Sequence, residues 1–223
     1  TLTDSEKTTI KSSVLKGKNI VSITPEIVDP NFTNIELDVF FKYNPNLTDR
    51  SSVDLQAVVR DTISDFNFNQ LNKFDGVFRH SQLLQLIDSS DPSILNSTIR
   101  PYMHKTISGK QALVDNDFAL TFASPFFESG NSTDFVLSSR AFKIDTIDHF
   151  FGDISITDST NRRVIVYKVV NGVNVTTVAN AGLIVPSKGT VTLNSFALDS
   201  NTNIKITLTP NSLDIAPKRD QLL

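Results

Sequence analysis

The sequence contains no cysteine and no tryptophan, one methionine, and eight glycines in 223 residues. The missing cysteine excludes disulfides, zinc–thiolate sites, iron–sulfur clusters and cysteine nucleophiles at one stroke. The missing tryptophan, with only three tyrosines, removes the rings that saccharide-binding platforms usually use. The glycines are isolated, so neither GxGxxG nor GxxxxGK[ST] can be built and no phosphate cradle is expected. No apolar run approaches the ~18 residues of a membrane helix. No signal peptide is visible, and Thr1 in place of Met leads to the expectation of a piece of a longer chain. The formal net charge is −3, which gives no reason to expect nucleic-acid binding.

What is abundant is phenylalanine, with sixteen residues. Phe carries a large apolar ring without a polar handle, so these rings belong in a core or an interface. Three doublets matter: Phe40-Phe41, Phe126-Phe127 and Phe150-Phe151. Adjacent side chains on a strand point to opposite faces. Either one ring of each doublet packs on the core and the other under a loop, or the outward ring belongs to an intermolecular patch. The candidate interface residues are therefore Phe40, Phe126, Phe127, Phe150 and Phe151.

The segment Thr33–Tyr43 alternates strictly, with Ile35, Leu37, Val39, Phe41 and Tyr43 on one face, which predicts a half-buried strand. A strand at 20–28 is its expected antiparallel partner through the tight link Asp29-Pro30-Asn31. Thr3-Asp4-Ser5-Glu6 reads as a capping box opening a short helix with Ile10, Val14 and Leu15 on its apolar side and Gly17 as its cap. Ser51 or Ser52 is the expected N-cap of a helix over 53–68, whose stripe is Leu55, Val58, Val59, Ile63 and Phe66. A second helix is expected over 78–87 and a strand over 94–106, since Asp91-Pro92 stops the helix.

Beyond about residue 108 the period turns to two. Strands are expected over 117–123, 135–144, 153–157, 163–170, 174–178, 190–198 and 204–208. Asn171-Gly172 between valines predicts a type I′ hairpin. The expected class is α+β: a mixed helix/sheet region over 1–107, an antiparallel, sandwich-like β-rich region over 108–203, and a final strand and tail over 204–223 packing back on the first region.

Catalytic chemistry finds little support. His80, His104 and His149 form no HExxH and no i, i+4 pair, so a structural or surface role is expected. Ser108-Gly109 and Ser129-Gly130 lack the flanks of a nucleophile elbow and read as turns. Asp145, Asp148, Asp153 and Asp158 do not follow the alternating spacing of a calcium loop and read as a solvated acidic series. Arg162-Arg163 and Lys218-Arg219 read as salt-bridged surface pairs. No catalytic residue, metal ligand or cofactor is expected.

A resemblance adds to this. The stretch Val21–Phe32 (VSITPEIVDPNF) followed by an alternating strand resembles the baseplate wedge proteins of T-even-type contractile-tailed phages. So do Leu71–Ser81 (LNKFDGVFRHS), Leu86–Ile94 (LIDSSDPSI) and Gly189–Phe196 (GTVTLNSF). More distantly the chain is similar to baseplate J-type proteins. The resemblance implies a C-terminal part without enzymatic activity, in a virion tail baseplate assembled in the host cytoplasm. It implies partnership with itself, as a homodimer within a ring around the tail hub, and with other baseplate wedge proteins. Neither nucleic acid nor membrane is implied as a partner. The alternative is an adhesin or carbohydrate-binding β-sandwich of a virion or cell surface.

Overall fold

The structure is a computed structural model that describes residues 3–15, 27, 33–73, 76–107, 118–122, 124–128, 135–195 and 203–216. The chain divides into two compact units, Thr1–Phe32 and Thr33–Leu223.

In the first unit, α1 (Asp4–Ile10) runs into a π-turn over Lys11–Leu15. Its start is the expected capping box: Thr3 N–H donates to Glu6 Oε2 at 2.8 Å, and Glu6 N–H to Thr3 Oγ1 at 3.3 Å. Ile10 and Leu15 are half-buried, whereas Val14 is exposed. Gly17 and all but Ile27 of the expected strand at 20–28, with its link at 29–31, lie outside the described residues.

The second unit opens with β1 (Asn34–Tyr43), whose side chains alternate between exposed and half-buried along its whole length. Next come α2 (Ser52–Phe66), α3 (His80–Asp88) and β2 (Ile94–Ile107). Ser51 caps α2: Asp54 N–H donates to Ser51 Oγ at 3.2 Å, and Ser51 N–H donates back to Asp54 Oδ2 at 3.1 Å. Loss of such a cap costs about 0.5–2 kcal/mol. Ser51→Ala is therefore expected to lower the urea midpoint by that amount with an unchanged m-value. An unmoved midpoint would mean that packing alone fixes the start of α2. The helical stripe turns inward as expected, with Leu55, Val59 and Phe66 buried and Val58 and Ile63 half-buried. On α3, Leu83 and Ile87 are buried, and Phe66 meets Phe78 edge-to-face with centroids 6.1 Å apart.

β1 pairs antiparallel with β2, with Phe40 opposite Thr98 and Asp38 opposite Arg100. β10 (Ile204–Leu208) lies on the other side of β2, and β4 (Leu137–Ser139) beyond it, giving the order β1-β2-β10-β4. The chain after β10 reaches the start of α3, where Phe78 and Ile215 exchange backbone hydrogen bonds at 2.9 and 3.0 Å. The second sheet takes β3 (Phe118–Thr121), β5 (Phe142–Ile144), β6 (Ile147–Ser155), β7 (Arg162–Val170), β8 (Val173–Val185) and β9 (Thr190–Leu193). Its order is β3-β9-β8-β7-β6-β5, all antiparallel. The class is α+β with antiparallel sheets. One continuous apolar core runs from Val59 and Leu83 of the helices through Met103 and Ile206 to Val164, Phe151 and Ile184.

Two expectations are corrected. The single strand over 135–144 is two strands on different sheets: β4 joins β10 and β5 joins β6. The acidic stretch is not a solvated loop throughout, because β6 occupies 147–155 and buries both His149 and Asp153. The Asn171-Gly172 turn forms as expected, with φ of 51° and 79° at its two central residues.

Candidate interaction surfaces

The phenylalanine doublets separate by burial. On β1, Phe40 is 64% exposed while Phe41 is half-buried against Tyr43. Phe126 has no exposed surface; it packs edge-to-face on Phe122 at 5.2 Å and its backbone is held by Pro186. Phe127 is 47% exposed. On β6, Phe151 is fully buried against Phe142 at 4.7 Å, whereas Phe150 is half-buried and stacks on Tyr167 at 5.6 Å. The period of two sends one ring of each pair inward. Of these five candidates Phe126 and Phe151 are core residues, while Phe40, Phe127 and the rim of Phe150 keep exposed surface.

The outer face of the first sheet is polar. The register sets Glu36, Asp38 and Phe40 of β1 beside Tyr102, Arg100 and Thr98 of β2. Lys205 of β10 reaches Glu36 at 2.6 Å. That hydrogen bond holds the Glu36 carboxyl below the usual carboxylate range. Burial, and then the Lys205 charge, push the His104 imidazole down, so the neutral ring is favoured. A cleft of about 380 Å3 opens on this face between Glu36, Asp38, Tyr102, Phe135, Ser138 and Thr207. Its donors and acceptors lack a nucleophile–base pair. Among the described residues no group of three or more His, Cys, Asp or Glu converges on a point where a metal could bind.

The buried polar centre of the second unit is a hub that joins the sheets. Asp153 Oδ1 accepts from the Val136 and Leu137 amides, each at 2.8 Å, and Asp153 Oδ2 accepts from Arg162 Nε. Arg162 Nη1 donates onward to Ser155 Oγ at 2.9 Å. Both Asp153 and Arg162 are almost wholly buried. Arg162 is thus a core cation, not the surface residue expected from its doublet with Arg163. The hub ties β6 and β7 to the strand that crosses into the first sheet, and both Asp153 oxygens and the Nε and Nη1 of Arg162 are directed at the protein itself.

The stretch from β1 to β2 is similar to a known domain. Residues 31–106 match the family model described as "Baseplate structural protein gp6, C-terminal domain III". The chain resembles the C-terminal part of a baseplate wedge protein. A curated relative, the baseplate wedge protein gp6 of Enterobacteria phage T4, is 29% identical over 97 residues, or 44% of this chain. The match spans 14% of that relative's length. The gp6-like segment holds Glu36, Phe40 and the helices α2 and α3.

Proposed function

We propose that this chain is a non-enzymatic structural subunit of a contractile phage tail baseplate. It self-associates and, with other baseplate wedge proteins, links wedges into a ring around the tail hub. The reading rests on the match of residues 31–106 to a baseplate structural domain. The burial pattern supports it: apolar rings stay outside at Phe40 and Phe127 after the core is filled. Enrichment in aromatic rings marks interface centres.

Sedimentation velocity at tens of micromolar, about the regime of a weak biological interface, is expected to show a dimer. Phe40→Ser is expected to shift that equilibrium toward monomer without moving the unfolding midpoint. A wild-type chain that stays monomeric throughout would remove self-association from the reading.

A further inference from the structure

The hairpin of β7 and β8 outgrows its own sheet. The last rung between β6 and β7 is Phe150–Tyr167, and β9 pairs with β8 only over Gly182–Val185. Among the described residues, β8 from Val173 to Ala179 therefore has a strand partner on one side only, while the Asn180 and Ala181 carbonyls accept from Asn194 at 3.1 and 2.9 Å. Two register shifts, at Val164/Val166 and Val166/Tyr167, mark where the arm departs from the sheet; bulges of this kind bend and twist the strand that carries them. Beyond them Val169, Val170, Val173 and Val175 are 40–63% exposed. The register places Val170 opposite Val173 and Lys168 opposite Val175, so three of these valines share one face.

A two-stranded ribbon with exposed valines is at best marginally stable alone in water. Sheet edges are ordinarily protected by charge or proline. This one has neither: from Val169 to Val185 there is no Asp, Glu, Lys, Arg or Pro. A row of unpaired backbone N–H and C=O groups is matched only by another extended strand. A second copy of this chain offers the same row, equally free of charge, with the same valine stripe. A two-fold antiparallel arrangement lets the edge pair with itself and closes after two copies.

We propose that the β8 edge over Val173–Thr177 is a self-pairing surface. Two copies join antiparallel there, centred near Val175, to make one sheet continuous across the contact. This rests on the self-association proposed above and adds to it a contact separate from the Phe40 surface.

The test uses Val175→Lys and Val175→Glu in the whole chain, with circular dichroism as the control for folding. Val175 is 40% exposed and lies opposite Lys168 across the hairpin, so the urea midpoint of each variant is read beside its Kd to separate an effect on the monomer from one on pairing. Like charges set across a two-fold ladder oppose pairing. Each variant alone is expected to raise the dimer Kd at least about tenfold, and an equimolar mixture of the two is expected to restore wild-type affinity or better. Dimerisation of both variants at wild-type affinity overturns the arm as the contact and leaves self-association standing elsewhere. Weakening in both without recovery in the mixture overturns the antiparallel register around Val175. A monomeric wild type overturns self-association itself.

Discussion

Asp153→Ala is expected to cost about 3–5 kcal/mol of folding stability, the range seen when one partner of a buried ion pair is removed. The alanine leaves the Arg162 guanidinium enclosed without its counter-ion. It also strips the Val136 and Leu137 amides of the carboxylate oxygen they share at 2.8 Å. Each orphaned buried donor adds to the penalty. Because those amides lie at the entry to β4, the loss loosens the crossing between the sheets as well as β6. Equilibrium unfolding in urea, followed by far-ultraviolet circular dichroism, measures the cost. Asp153→Leu combined with Arg162→Met is expected to recover part of it, since no charge is then left buried. A single-variant cost below about 1 kcal/mol, typical of exposed pairs, would mean that water reaches Arg162 and that the hub is not sealed.

Phe151→Ala carries the next largest effect, about 3–5 kcal/mol, as for other large-to-small changes at a filled core site. The ring is fully buried and tilted against Phe142 at 4.7 Å, so its removal leaves a cavity where the two sheets meet. Phe40→Ser, on a ring that is 64% exposed, is the matched control and is expected to change stability by no more than about 0.5 kcal/mol. The pair separates core from contact: Phe151→Ala acts on unfolding, Phe40→Ser on association. A large loss of stability from Phe40→Ser would place that ring in the fold of the single chain.

How far the sequence was legible follows from which signals are local. The Thr3 capping box, the N-cap of α2 at Ser51, the stripe of α2, the alternation of β1 and the Asn171-Gly172 turn depend on residues a few positions apart, and each forms. The 135–144 region failed because a period of two reports which face a residue takes, not which sheet the strand joins. The alternation of Phe135 and Leu137 changes parity before Phe142, and the pairing changes there from β10 to β6. Arg162 was hidden for a related reason. Its partner Asp153 lies nine residues back across a turn, and only the register of β6 on β7, with Ser155 opposite Arg162, brings the two side chains together. The Phe doublets showed that one ring of each pair turns outward, but which ring does so depends on strand register. Phe40 is outward on β1, yet in the second doublet it is Phe127, and in the third Phe150 keeps only a rim. The register shifts of the β7–β8 arm were likewise invisible, because bulges arise from how two strands pair and not from either strand alone.

Immunogold labelling of intact tails from the virion that carries this chain, with antibody raised against the folded protein, tests the central claim most directly. The structural reading predicts label confined to the baseplate, in a ring around the hub. Label on fibre tips or on the outer surface, with none at the baseplate, would contradict it and favour an adhesin.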